Sequence, residues 1–320
     1  MHKLLKSREV ENMRTKKRIK WGVNRRQLFF MASLGFLFLL AFAYAPMFGI
    51  VLAFTKGDYV MDIMKAMFGS EFIGFANFEK FLTDPDFLNV VWNTIGLNLL
   101  SLALTFPAPI IFALLINEFK HKGYKKAVQT ISYFPYFISW IVFGGIILAL
   151  LDPQTGVVNG LLVQFGIVEE PINFGVAEYF WGLMIVTALI KGVGWGSIIY
   201  LAAIAGIDTA MYEAAEIDGA NRFDKMIRIT LPSIAPTITV FLILAISGIL
   251  NSGFDQIWIF QNQMNLDRSE VIDTYVYKYG VLNMRYSYAT AIGLLKSVLA
   301  LILLSGSNLL SKKLTGRGIF

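Results

Sequence analysis

The chain has 320 residues, 56% of them hydrophobic and only 16% charged, with a net charge of +6 and a mean hydropathy of +0.60. That composition is too apolar for an ordinary water-soluble domain. With no cysteine and two distant histidines, His2 and His121, it excludes a disulfide framework, a thiolate zinc site and a cysteine–histidine nucleophile pair.

In chain order, residues 1–27 form a basic segment with ten lysines and arginines against Glu9 and Glu11. Apolar stretches follow at 28–54, 88–116, 130–151, 180–206, 233–250 and 288–310. Each is close to the roughly 20 residues of helix that cross a hydrocarbon core. They predict a membrane domain of six helices over 28–311 and a tail over 312–320. The first stretch is too long for a signal peptide and lacks a small-residue cleavage pattern, so it reads as an uncleaved span. Pro46, Pro107, Pro109, Pro135 and Pro236 lie within the stretches and predict kinks.

Lysine and arginine set the orientation. With the amino terminus in the cytoplasm, Lys120, Lys122, Lys125 and Lys126, then Arg222, Lys225 and Arg228, then Lys312, Lys313 and Arg317 all fall on that side. Both termini are expected to be cytoplasmic. Positive charge beside a membrane is what topology demands, so the basic residues give no reason to invoke nucleic acid.

The connection 207–232 breaks the pattern. Asp208, Glu213, Glu216, Asp218 and Asp224 outweigh its three basic residues. It reads as two short helices, 209–217 ended by Gly219 and 221–230 capped by Asn221, with Pro232 opening the next span. Its sequence, EAAEIDGANRFDKMIRITLP, resembles the EAA loop of ABC importer permeases: Glu213-Ala214-Ala215, three residues, Gly219, nine residues, Ile229, one residue, Leu231-Pro232. That resemblance implies a coupling helix docked on a separate ATPase subunit, with Glu213, Ala214, Ala215, Asp218, Gly219, Ile229, Leu231 and Pro232 as the coupling residues. Small alanines let another surface approach the helix, Gly219 is free to take a positive φ, and the acidic side chains offer charge partners.

The segments Tyr44-Ala45-Pro46-Met47-Phe48-Gly49, Tyr133-Phe134-Pro135-Tyr136, Gly194-Trp195-Gly196-Ser197 and Phe254-Asp255-Gln256 are similar to LplB-type polysaccharide permeases, within the maltose-type carbohydrate uptake family. The likeness implies an all-α integral membrane protein of the type I ABC importer permease fold, in a bacterial cytoplasmic membrane. It also implies a heterodimer with a second permease, two ATPase subunits, an extracellular sugar-binding protein and an oligosaccharide cargo. The chain has no Gly-Lys dipeptide and no Ser-Gly-Gly-Gln stretch. ATP and magnesium are therefore expected on the partner ATPases, with no cofactor, metal or catalytic residue on this chain.

Charge inside a membrane is costly and points to function. Lys191, followed by Trp195, is the first candidate for the sugar pathway, an amine beside an aromatic face. A lysine held by backbone carbonyls or by the neighbouring subunit is the equal alternative. The family likeness adds Ser247, Asn251, Asp255 and Gln256 after the loop, and Tyr136 and Trp140 join them. Lys296 is placed near the outer surface, where it snorkels. An ion-coupled secondary transporter would place a carboxylate within the spans, and none of them holds one. A membrane enzyme would need a clustered nucleophile, base or metal set, which is missing as well.

Overall fold

The computed structural model describes residues 23–60 and 62–315. Two compact units divide the chain at Ile50. The first holds a helix, Val23–Leu39, that widens into a π turn at Leu40–Tyr44 and tightens into a 3-10 helix from Ala45. Pro46 explains that change of winding, because its ring and missing N–H break the ladder at this level. Its apolar side chains, such as Leu28 and Phe42, are largely exposed, as a lipid-facing helix requires.

In the second unit the long apolar helices are Phe87–Asn117, Ala177–Ala205, Arg222–Ser247 and Tyr286–Leu309. These match the second, fourth, fifth and sixth predicted stretches within a few residues, except at the start of the fifth. The third stretch differs. It is a bent pair, Lys122–Phe137 and Trp140–Leu151, meeting at 103°. Pro135 tightens the chain into a 3-10 turn, Ile138 is extended, and the Ser139 hydroxyl accepts from Val142 N at 3.3 Å to cap a new helix.

The fifth span also departs from expectation. The second short helix does not stop before Pro232 but runs through a π turn at Met226–Thr230 into Leu231–Ser247. The wider turn makes room for the proline ring inside a continuous helix.

Three apolar clusters form the core, each joining spans distant in sequence. One holds Ile110, Ala113, Tyr200, Ile204 and Ile234, a second Leu97, Phe180, Met184, Ile257 and Phe260, and a third Phe81, Val90, Tyr275, Tyr288 and Ile292. At Gly194 the fourth span touches the third so closely that a Cβ would collide with the Ser132 carbonyl. Small residues at such crossings are how membrane helices gain contact without a hydrophobic drive.

At the end of the bundle away from 207–232, the connecting loops gather into a lobe stitched by buried asparagines. Asn77 donates to the carbonyls of Ala53 and Thr55, both at 3.1 Å. Asn93 donates to those of Asp267 and Glu270, and Asn159 to those of Leu151, Asp152 and Ile172. Each side chain satisfies loop carbonyls that no regular ladder reaches. Asp58 caps the sixth span by accepting from Ser287 N and Tyr288 N.

Candidate functional site

The hairpin after the fourth span is built from local signals. Asp208 caps the helix Thr209–Ile217 by accepting from Ala210 N at 2.9 Å. At the far end Ala220 N donates to Ala215 O at 2.9 Å while Gly219 takes φ +77°. This closing bond with a left-handed residue is the usual glycine stop, and a side chain there would be strained. Asn221 then caps the next helix in a reciprocal pair with Asp224.

Two contacts hold the arms of the hairpin together. Lys225 Nζ reaches Glu216 Oε1 at 2.5 Å, and the Tyr212 and Thr230 hydroxyls are hydrogen-bonded at 2.9 Å. The bond and charge of Lys225 hold the Glu216 carboxyl below the usual carboxylate range.

Of the predicted coupling residues, Glu213, Ala214, Asp218, Gly219 and Pro232 are exposed, and Ala215 is half-buried. Ile217 is 88% exposed, an isoleucine with nothing covering it on this chain. Ile229 and Leu231 are half-buried, and Leu231 packs against the first core cluster, rooting the hairpin in the bundle.

Among the predicted pathway residues, Lys191, Tyr136, Trp140 and Trp195 come together at the bend of the third span. Lys191 Nζ donates to Pro135 O at 3.0 Å, to Tyr136 O at 3.1 Å and to Ile138 O, and lies over the Trp140 ring at 5.2 Å. All three of its donors are taken by carbonyls at the break, of which that of Pro135 also accepts from Ile138 N, and this is the backbone-held alternative. Tyr136 and Trp195 stack with centroids 4.6 Å apart and remain partly exposed.

Gln256 is buried and donates to Met184 O at 2.7 Å and Thr187 Oγ1 at 2.8 Å, tying its short helix to the fourth span. Asp255 is exposed in the first turn of that helix. Ser247 and Asn251, at the end of the fifth span, line a cleft of about 620 Å³ that runs along the sixth span from Gly293 to Leu304, together with Asp273 and Lys296. Lys296 does not snorkel alone, because it is ion-paired with Asp273. A lone in-span lysine calls for a partner, but nothing in the spacing singles out Asp273, which lies in the loop region ahead of the sixth span.

Residues 87–316 match the family model described as binding-protein-dependent transport system inner membrane component. The chain is 40% identical to Protein LplB of Bacillus subtilis over 95% of its length and 92% of that protein's. It is also 40% identical to the polygalacturonan/rhamnogalacturonan transport system permease protein YteP of Bacillus subtilis, over 93% of this chain and 91% of that one. In structure it is similar to a chain of a bacterial ABC transporter involved in the import of the acidic polysaccharide alginate. That likeness has a TM-score of 0.83 at 38% identity, covering 91% of this chain and 97% of that chain.

Proposed function

The chain belongs to the family of binding-protein-dependent transport system inner membrane components, and we propose that it works as a permease subunit importing oligosaccharide fragments of acidic polysaccharides. Its relatives are sugar permeases of ABC importers, and their named cargoes, polygalacturonan and alginate, supply the substrate class. An extracellular binding protein delivers the sugar, as the family description implies. ATP and magnesium sit on two partner ATPase subunits, and a second permease completes the membrane pathway. Both termini face the cytoplasm, which puts the 207–232 hairpin on the ATPase side.

The observation that carries this reading is the hairpin itself. It presents Glu213, Ala214 and the uncovered Ile217, is held to the bundle through Leu231, and turns on a left-handed Gly219. A hairpin braced by the Lys225–Glu216 pair, with Ile217 and Phe223 exposed on it, transmits closure of the ATPase pair as rigid-body movement, and the pathway then opens alternately to the two faces. Gly219→Trp and Glu213→Lys are expected to leave the protein in the membrane while abolishing sugar-stimulated ATP hydrolysis in the assembled transporter. Normal stimulation in both variants would contradict the coupling role.

A further inference from the structure

The cleft that holds Ser247 and Asn251 also contains an intramembrane cation with unused hydrogen-bonding capacity. Lys296 lies ten residues into the sixth span, about 15 Å along its axis. Its side chain is 15% exposed and that of its partner Asp273 is 24% exposed. An ammonium carries three donors, and among the described residues Asp273 is its one acceptor. A desolvated charge held this way inside a span is costly unless a ligand or a polar pathway uses it.

The carboxylate is the fixed member of the pair. Asp273 Oδ2 accepts from Ser252 N at 3.1 Å, and Ser252 Oγ accepts from Asn98 Nδ2 at 2.8 Å, which anchors the carboxylate to the second span. Lys296 projects from a different helix and keeps its spare N–H groups. Around it lie the exposed Asn251 amide and the hydroxyls of Ser247 and Ser297, which donate to Leu244 O and Gly293 O and keep their acceptor lone pairs for sugar hydroxyls, in a cleft of about 620 Å³, within the range of small-ligand sites.

We propose that Lys296 reads the carboxylate of an acidic saccharide as it passes, with Asp273 as the resident anion that the cargo carboxylate displaces. The inference rests on the importer function above and assigns its charge selectivity to one side chain. A uronate carboxylate accepts the free ammonium donors in charge-assisted bonds, and an uncharged sugar offers only hydroxyls. Asp273 competes for the same cation, so the bound anion is held loosely enough to leave.

The test uses the complete importer, with its partner permease, ATPases and binding protein, in proteoliposomes, with tetragalacturonate and its methyl ester as probes. Lys296→Gln is expected to raise the KM for tetragalacturonate about tenfold relative to the ester. Asp273→Asn, which frees the competed donor, is expected to lower it. The exchanged pair, Lys296→Asp with Asp273→Lys, restores the ion pair but not the preference for the acid.

If Lys296→Gln and Asp273→Asn raise KM alike for both probes, or the exchanged pair recovers acid transport, the pair is a structural brace and the proposal is overturned. A wild-type importer that moves the ester as well as the acid overturns it too, while leaving the importer function standing. A wild type that moves neither probe removes both.

Discussion

Lys191 and Gly219 show how differently single residues disclose their roles. Glycine six residues after the motif glutamate predicts a sharp stop, and the positive φ at Gly219 is that stop. Lysine in a span predicts only that something compensates its charge. What compensates Lys191 is a backbone break over fifty residues away, which no local spacing reveals. Replacing it by methionine keeps the length but leaves the carbonyls of Pro135, Tyr136 and Ile138 without their charged donor, a loss of about 2–4 kcal/mol. A clear drop in the melting temperature of the detergent-solubilised Lys191→Met protein checks this. An unchanged melting temperature would mean that the break holds itself.

Among the elements, most span boundaries were readable because apolar length and flanking charge are local properties. The third and fifth spans were not, because a proline announces a disturbance without saying whether the chain bends or absorbs it. Pro135, followed by the extended Ile138 and the capping Ser139, produces a 103° bend. Pro232, following a π turn, is absorbed into a continuous helix.

The fit between the third and fourth spans depends on Gly194, where a side chain meets the Ser132 backbone. Gly194→Leu is expected to cut the amount of folded protein recovered from membranes several-fold, whereas Gly192→Ala, at a position with open space around it, is expected to change it little.

The hairpin carries its own pH dependence. The folded Glu216 carboxyl titrates below its unfolded value, so the Lys225 pair stabilises the hairpin above the ordinary carboxylate range and is lost as the pH falls through the folded value. The protection of the hairpin amides against hydrogen exchange, taken relative to the intrinsic rate at each pH, is expected to fall over that acid window in the wild type. Glu216→Gln is expected to show the lower protection already at neutral pH, without the step that the Lys225 pair gives the wild type.

For the whole molecule, the chain reads as one part of a larger machine. Its lobe of asparagine-stitched loops and its acidic hairpin lie at opposite ends of the bundle, so the proposed sugar-delivering protein and the proposed ATPases would meet different faces of it. The importer family was legible from the hairpin motif and the spans, and the oligosaccharide cargo only through the likeness of segments such as Tyr133-Phe134-Pro135-Tyr136 to polysaccharide permeases; the charge of the sugar was not legible. The charge-bearing cleft was not, because its two halves, Asp273 and Lys296, meet only after the fifth and sixth spans have packed.

Docking of an ATPase on the hairpin, as proposed, is open to direct chemical test because the chain has no cysteine of its own. Ile217→Cys places a single thiol at the most exposed apolar point of the hairpin. Cross-linking in native membranes to the ATPase subunit, at a yield that changes when ATP is bound and hydrolysed, is the predicted result. Labelling of that thiol by a membrane-impermeant maleimide added outside intact cells would put the hairpin on the outer side of the membrane and rule out ATPase docking there.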